Sequence, residues 1–257
     1  MIRLFRKIRQ RLLIENKFGK YLLYAIGEII ILIFGIVFAL QVNNWNLKRQ
    51  DKASEIVILK GIKAELERDL VGFSNDLLVH AEQIRSSKII LDHFENNLSY
   101  NDSLSKHFLN TCSYTIITIN RGTFETLKSL GVGMISNIEL RNLIINLYDS
   151  QYSFTGELGK GIENFFNYGE KYILISRFHE AEYYGMDLGE HLELVESAGG
   201  GMIPIDFERL KNDSEYNFYL KTAKNKNIIY LAILTDTKSM MSQLILSIEK
   251  ELNELEK

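Results

Sequence analysis

The chain has 257 residues, of which 46% are hydrophobic and 25% charged, with a net charge of −3. This composition fits a globular protein with a sizeable core. The single cysteine, Cys112, excludes an intramolecular disulfide and a thiolate metal cluster, and the single proline, Pro204, favours long helices over a sandwich or barrel.

Charge is distributed unevenly along the chain. Residues 1–20 carry seven Lys or Arg and one acid, Glu15, a net charge of +6 that leaves −9 for the remainder. This asymmetry argues against nucleic acid as a partner of the acidic body, and it favours a head that lies beside an anionic membrane surface. Apolar residues recur at helical spacing among the basic ones, which predicts a basic amphipathic helix; a flexible basic tail is the alternative.

Residues 21–42 form an apolar segment that contains one charged side chain, Glu28. Fourteen of these 22 residues are Leu, Ile, Val or Phe. A helix of this length spans about 33 Å, enough to cross a bilayer core of about 30 Å. A cleaved signal peptide would have a shorter apolar run followed by a small-x-small cleavage site, so the pattern favours a single uncleaved transmembrane helix.

The charge asymmetry also predicts how this helix is oriented. The positive-inside rule keeps residues 1–20 in the cytoplasm and exports residues 43–257 to the periplasm. Aromatic side chains prefer the two membrane–water interfaces, so Tyr21 and Tyr24 are expected at one interface and Trp45 at the other.

Four residues of the segment form a candidate helix-contact face. On a helix, Glu28, Gly35 and Ala39 lie within about 20° of one line, and Gly27 borders the same side. Small residues let helices approach closely, and a polar side chain among them can hydrogen-bond across the contact. This predicts association with a second copy or with another membrane protein. In the alternative interpretation, Glu28 snorkels to the inner interface, toward Lys20.

The exported region has two long apolar stripes at helical spacing. The first extends the membrane helix outward, and the second, near the C-terminus, has heptad-like spacing. We expect the two to pack antiparallel in a helical bundle with coiled-coil character. The first stripe is Leu59, Ile62, Leu66, Leu70, Phe73, Leu77, Ile84, Leu91, Phe94 and Leu98, and the second is Tyr230, Leu234, Thr237, Met241, Leu244, Ile248, Leu252 and Leu255.

Shorter helices are predicted between these stripes, so the predicted fold class is all-α. One helix runs from Asn101 to about Thr111, and another covers Thr123–Leu130, with Gly131 suited to its C-terminal cap. The capping boxes Ser136–Glu139 and Asn212–Glu215 predict two further helix starts.

Other features of this middle region are less regular. The helix that begins after Ser136 is expected to continue toward Phe178, although Gly156, Gly159 and Gly161 weaken it. Residues 183–203 are predicted to form a surface loop, and residues 114–119 carry the best, short strand signal.

The sequence contains no phosphate-binding loop, nucleophile elbow or dinucleotide fingerprint. The nearest pattern to a metal site is His179-Glu-Ala-Glu182 with Glu190 and His191. It lacks the i, i+4 histidine pair of a zinc protease helix, and we interpret it as an acidic surface loop. We therefore predict no cofactor, no metal and no enzymatic activity.

Two other groups of side chains have a structural interpretation and a functional alternative. His80 and His93 are placed at the boundary of a helix face. The aromatic residues are interpreted as core, with a ligand pocket as the alternative. These residues are Phe165, Phe166, Tyr168, Tyr172, Tyr183, Tyr184, Tyr216, Phe218 and Tyr219.

Several segments carry a resemblance to a known family. The first group is Phe5–Gln10, Glu15–Phe18, Lys20–Glu28 and Ala39–Asn46, and the second is Phe124–Ser129, Ile135–Asn137 and Leu140–Tyr148. They resemble the opening block and the central motif of an uncharacterised Gram-negative, Bacteroidota-type family of membrane-anchored proteins, domain of unknown function 6090. The resemblance implies one span and a helical exported domain. It implies no activity, because none is established for the family.

These observations favour a non-enzymatic protein of the inner membrane that presents a periplasmic helical bundle as an interaction or scaffold module. The expected partners are the lipid bilayer and either a second copy or another membrane protein bound through the span. One alternative is a ligand-sensing bundle that signals through a partner protein, since about 20 cytoplasmic residues are too few for a signalling enzyme. A less favoured alternative is a hydrolase that uses residues 179–193.

Overall fold

The computed structural model describes residues 18–179, 181–184 and 199–257 of the chain. These residues are almost entirely helical, so the predicted all-α fold class is confirmed. The amphipathic helix predicted at residues 1–20 falls almost wholly outside the described residues, as does most of the loop predicted at residues 183–203.

The chain divides into two compact units, Met1–Glu55 and Ile56–Lys257. In the described part of the first unit the chain is one continuous helix, the beginning of α1, which comprises Phe18–Glu95. Among the described helices, α1 is the one with a window long and apolar enough to cross a membrane. That window has a mean hydropathy of 2.5, and none of it is buried.

The second unit contains the rest of α1 and all the remaining elements. After α1 they are α2 (Ser103–Thr111), α3 (Gly122–Leu130), a 3-10 turn (Val132–Met134), α4 (Ile138–Ile145), a first π-helical segment (Asn146–Gln151), α5 (Tyr152–Gly169), a second π-helical segment (Glu170–Leu174), β1 (Glu182–Tyr184), β2 (Gly199–Gly201), α6 (Phe207–Lys211) and α7 (Ser214–Leu255).

Within the second unit, α1 and α7 pack antiparallel, as the two apolar stripes predict. Lys60 pairs with Glu256 at 2.7 Å, and Lys63 pairs with Glu249 at 2.8 Å, so residue numbers rise on one helix as they fall on the other. These exposed pairs contribute little free energy, and the contact depends on the apolar side chains between them. The fully buried members of the two stripes are Leu59, Ile62, Leu66, Phe73, Tyr230, Leu234, Thr237, Met241 and Ile248.

A second apolar cluster lies where α1 ends and α7 begins. It joins α2, the second π-helical segment, α6 and the first turns of α7 around buried aromatic rings. Its largest members are Phe94, Phe108, Phe178, Phe207, Tyr216 and Tyr219. Several of the aromatic residues that the sequence assigns to the core are therefore confirmed there, whereas Tyr168, Tyr172 and Phe218 are exposed.

Helix α5 continues through the glycines that were expected to weaken it, because two glycines of this helix let it approach α7. A Cβ atom at Gly159 would lie 2.8 Å from the hydroxyl oxygen of Tyr230. A Cβ atom at Gly169 would overlap the ring of Tyr219. Glycine lowers helix propensity at these two positions, but its lack of a Cβ atom allows the two helices to pack closely.

Both predicted capping boxes mark a helix start, but each is displaced by one residue. The N-cap of α4 is Asn137, whose side-chain oxygen accepts hydrogen bonds from the backbone N–H groups of Glu139 and Leu140. The N-cap of α7 is Asp213, which caps in the same way. Asn137 and Asp213 are as favourable at the N-cap as Ser136 and Asn212, which precede them. The capping-box pattern alone therefore did not determine which residue is the N-cap.

The strand signal at residues 114–119 does not correspond to a strand, since the structure has neither a strand nor a helix in this segment. Its side chains are used for packing instead: Ile117 is buried, and the ring of Tyr114 stacks on Phe166 at 5.5 Å. Part of the predicted loop is also more regular than expected, since β2 pairs antiparallel with β1 in the register Glu182↔Gly201.

The two kinds of glycine in α5 give opposite predictions for substitution by alanine. Gly169→Ala should lower the free energy of unfolding by roughly 1–3 kcal/mol, because the added methyl group displaces Tyr219. Gly161 is exposed with open space around it, so Gly161→Ala should raise that free energy by up to about 1 kcal/mol. Urea denaturation of the full chain in detergent measures both, and shifts in the same direction would contradict this packing.

Candidate functional site

The predicted helix-contact face lies on the regular helix α1, in the first unit. Glu28, Gly35 and Ala39 are exposed there, and a Cβ atom at Gly27 or Gly35 would have no neighbour within 4 Å. Trp45 is 65% exposed. The predicted interface anchors Tyr21 and Tyr24 belong to α1, but their side chains lie outside the described residues. The helical spacing on which the prediction depends is present, and association through the face stays a prediction.

In the second unit, two buried carboxylates of α1 hold the start of α3. Oε1 of Glu65 accepts hydrogen bonds from the backbone N–H and the hydroxyl of Thr123, both at 2.8 Å. Asp69 accepts hydrogen bonds from the backbone and the side chain of Asn120. Arg121, the N-cap residue of α3, makes no capping hydrogen bond with its own side chain. The helix is thus capped by carboxylates from another helix, which the positive N-terminal dipole of α3 favours.

Arg121 and two tyrosines complete this cluster of polar side chains. The guanidinium of Arg121 donates a hydrogen bond to the backbone carbonyl of Tyr148. The ring of Tyr148 stacks on Phe124 at 4.4 Å and meets the ring of Tyr152 edge-on at 5.2 Å. Burial, followed by the nearby charge of Glu65, raises the pKa of the Tyr148 phenol. Burial also raises the pKa of Asp69, against the lowering effect of its hydrogen bonds to Asn120.

The sequence alone did not predict this cluster. Glu65 and Asp69 are one turn apart, and each directly precedes a leucine of the first apolar stripe. Their proximity to the stripe was a weak signal, because a carboxylate at the border of a helix face is usually solvated. Helix α3 supplies the hydrogen-bond donors that make burial tolerable here.

His80 is also in the core, which corrects its predicted place at the boundary of a helix face. Its ring is fully buried, and Nδ1 lies 2.5 Å from Oδ1 of Asn227 on α7. Because the amide nitrogen of Asn227 donates to the carbonyl of Ala223, its oxygen is the acceptor, and Nδ1 of His80 carries the proton. Nε2 then accepts a hydrogen bond from the hydroxyl of Thr115, at 3.2 Å. Burial lowers the pKa of His80, so the neutral ring ties α1 to α7 and to the segment before α3.

A cavity of about 910 Å³ opens beside α2 and the second π-helical segment. Its floor is apolar and buried, and the exposed residues of its rim are polar except for Ile175. The floor includes Leu109, Phe166, Leu174, Phe178 and Met202, and the rim includes Asn167, Glu170, Lys171 and His179. The volume lies within the range of small-molecule sites. This arrangement can accommodate a compound with an apolar body and a polar end.

The other candidate residues near this cavity are weak candidates for chemistry. Cys112 lines it, but burial raises the pKa of its thiol to about 12, so the thiol is protonated and unreactive at neutral pH. Of the residues in the possible metal pattern, His179 is on the rim. The side chains of Glu182, Glu190 and His191 lie outside the described residues. Within the described ranges, no group of three His, Cys, Asp or Glu side chains could hold a metal ion.

The buried His80 predicts a specific loss of stability in acid. Its folded pKa lies below the ordinary value of 6.5, so the unfolded chain binds the proton first. The free energy of unfolding should therefore fall as the pH drops below about 6.5, by up to about 1.4 kcal/mol per pH unit. The nearby carboxylate of Asp76 weakens this effect, because it favours the charged ring.

Comparison of His80→Gln with the wild type isolates this contribution. The amide preserves hydrogen bonding but does not titrate, so the variant should lose less stability than the wild type between pH 7 and pH 5. Urea denaturation at several pH values measures the difference in slope. Parallel curves for the two proteins would show that His80 does not titrate in this way.

The chain matches one known protein family. Residues 28–167, more than half of the chain, match a family described as "Family of unknown function (DUF6090)". No curated protein and no solved structure matches the chain. The match includes Glu65, Asp69 and Tyr148, whereas much of the cavity lies on its C-terminal side. The chain therefore belongs to the family of unknown function DUF6090.

Proposed function

We propose that this protein is a single-span anchor of the inner membrane that presents a periplasmic helical domain as an interaction or scaffold module. In this proposal residues 1–20 are cytoplasmic, residues 21–42 cross the bilayer, and residues 43–257 are exported. The protein associates through its span with a second copy or with another membrane protein, and it catalyses no reaction.

The observation that carries the proposal is the exposed apolar surface of α1 in the first unit. Phe34 is 69% exposed and Phe38 is 72% exposed, and the aliphatic residues around them are about half exposed. In water each such side chain would cost on the order of 1 kcal/mol or more, whereas a bilayer removes that cost. A helix also satisfies its own backbone hydrogen bonds, as a membrane requires.

The proposed orientation and anchors rest on the sequence around this surface. The net charge of +6 at residues 1–20 favours a cytoplasmic N-terminus. Trp45, near the other end of the apolar segment, is suited to the opposite interface. The resemblance to a Gram-negative, membrane-anchored family supports the same location.

The buried charged and titratable groups support a structural rather than a catalytic role for the second unit. Glu65 and Asp69 hold the start of α3, and His80 joins α1 to α7. All three are buried, so a substrate has little access to them. These groups fix the positions of helices, which suits a domain that presents a defined surface.

Crosslinking in native membranes tests association through the span. Gly35→Leu places a bulky side chain on the predicted face, so it should reduce the yield of crosslinked product about tenfold. Glu28→Leu should also reduce it if Glu28 bonds across the contact. Equal association of the wild type and Glu28→Leu would instead leave the snorkelling interpretation. Val37→Leu adds a methylene on the opposite side of the helix and should leave the yield unchanged.

Two crosslinkers separate association from location. A membrane-permeant reagent reports association whichever side the domain occupies. An impermeant reagent, applied to cells with a permeabilised outer membrane, should modify the lysines after residue 43 only if they are exported. Monomer alone with the permeant reagent would contradict association, and protection from the impermeant reagent would contradict export.

The cavity supports a second candidate function, a ligand-sensing domain that signals through a partner protein. Its apolar floor would bury the body of a small compound, and the polar side chains of its rim would orient the polar end. This function does not exclude the first, because a domain that binds a ligand can also contact a partner protein.

A thermal-shift screen of the full chain in detergent tests the sensing function. A compound at a hundred times its Kd should stabilise the fold by about 2.7 kcal/mol. Ala181 lines the cavity, so Ala181→Trp should abolish the shift, while Ile229→Trp, on the exposed face of α7, should preserve it. A shift that survives Ala181→Trp would place binding elsewhere, and a broad screen without any shift would count against this function.

A further inference from the structure

Four buried polar atoms in the cluster around the start of α3 have no hydrogen-bond partner among the residues that the structure describes. They are Oε2 of Glu65, Nε of Arg121 and the hydroxyl oxygens of Tyr148 and Tyr152. Tyr148 is fully buried, Tyr152 is 1% exposed and Glu65 is 7% exposed. Each unmet buried polar group costs about 1–3 kcal/mol, so native proteins rarely leave several together.

These atoms belong to side chains that pack around one small region. Glu65 bonds to Thr123 through Oε1, which leaves Oε2 on the other side of the same carboxylate. Arg121 reaches the backbone of Tyr148, and Tyr148 contacts Tyr152. Phe124 directly follows Thr123, and its ring stacks on Tyr148 at 4.4 Å, so the carboxylate of Glu65 and the two tyrosines lie in one part of the core.

The chemistry of the four atoms restricts what can satisfy them. Oε2 of Glu65 accepts a hydrogen bond, Nε of Arg121 donates one, and each phenol can do either. The carboxylates of Glu65 and Asp69 disfavour an anion. Nε of Arg121 is a donor and cannot coordinate a cation, and both oxygens of Asp69 already accept hydrogen bonds from Asn120. A neutral ligand that both donates and accepts hydrogen bonds remains, and water is the smallest of that class.

We propose that the cluster formed by Glu65, Arg121, Tyr148 and Tyr152 is a buried water site, in which one or two ordered waters bridge the four unpartnered atoms. A buried water makes about three hydrogen bonds, so one or two waters match the number of atoms to be satisfied. The waters connect α1, the start of α3, the first π-helical segment and the start of α5. This site is independent of whether α1 spans a membrane.

The site also links several helices in the central part of the domain. The direct contacts to α3 come from Oε1 of Glu65 and from Asp69, while the bridging waters extend the network to Tyr148 and Tyr152. All four residues of the site lie within the range that matches the family. The water site therefore belongs to the part of the chain that matches the family.

Substitution of the two tyrosines by phenylalanine tests the proposal. If water bridges the hydroxyl groups, Tyr148→Phe and Tyr152→Phe each remove a partner from the network and should lower the folding equilibrium constant about five- to tenfold. If the hydroxyl groups are dry and unpartnered, their removal relieves a cost and should leave that constant unchanged or raise it. Tyr168→Phe, at an exposed site, is the matched control and should have no effect.

A double-mutant cycle and a crystal structure complete the test. Glu65→Gln keeps Oε1 as an acceptor and replaces Oε2 by a donor, so it should couple to Tyr148→Phe if a water bridges them, whereas additive effects would overturn the bridge. A high-resolution structure of the full chain should show density within hydrogen-bond distance of Oε2 of Glu65 and a tyrosine hydroxyl. Stability that rises with added calcium chloride and falls with a calcium chelator would also overturn the proposal, because it would identify a cation.

Discussion

The contact between the C-terminal half of α1 and α7 is the one on which the other elements of the second unit depend. Each fully buried Leu or Ile in this contact contributes about 2 kcal/mol relative to exposure. The contact runs antiparallel from the Lys60–Glu256 pair to the His80–Asn227 hydrogen bond. Helices α3 to α5 then cover the remaining apolar sides, and their place is set by the surface that these two long helices leave open.

The same contact determines where polar groups must be satisfied. Glu65, Asp69 and His80 lie on the half of α1 that α7 and the shorter helices cover, so packing removes all three from water. Burying a carboxylate without partners would cost more than a neighbouring leucine contributes. The unpaired N–H groups at the start of α3 and the amide of Asn227 offset that cost. Apolar packing and polar pairing therefore fix one helix register together.

The sequence predicts the apolar part of this arrangement well and the polar part poorly, for a physical reason. Apolar residues recur over several turns, as from Leu59 to Phe94, so one residue that departs from the pattern does not hide it. Both long helices and their antiparallel packing were therefore predictable. His80 and Glu65 are single polar residues beside such a stripe, so no repeated pattern indicates whether they are buried. The burial of each depends on a hydrogen-bond partner more than 50 residues away in the chain, which local periodicity does not reveal.

The π-helical segments illustrate the same limit in the backbone. Leu140, Ile144, Tyr148 and Tyr152 are all buried at intervals of four. In a regular α-helix with 3.6 residues per turn, each interval turns the side chain by about 40°, so Tyr152 would point about 120° away from Leu140. The first π-helical segment has more residues per turn, which offsets this rotation and keeps the tyrosines toward the core. There the ring of Tyr152 lies 6.2 Å from the ring of Phe73 on α1. A sequence that keeps a four-residue spacing through a long helix thus needs such a turn, and here the turn directs the two phenols into the buried polar cluster.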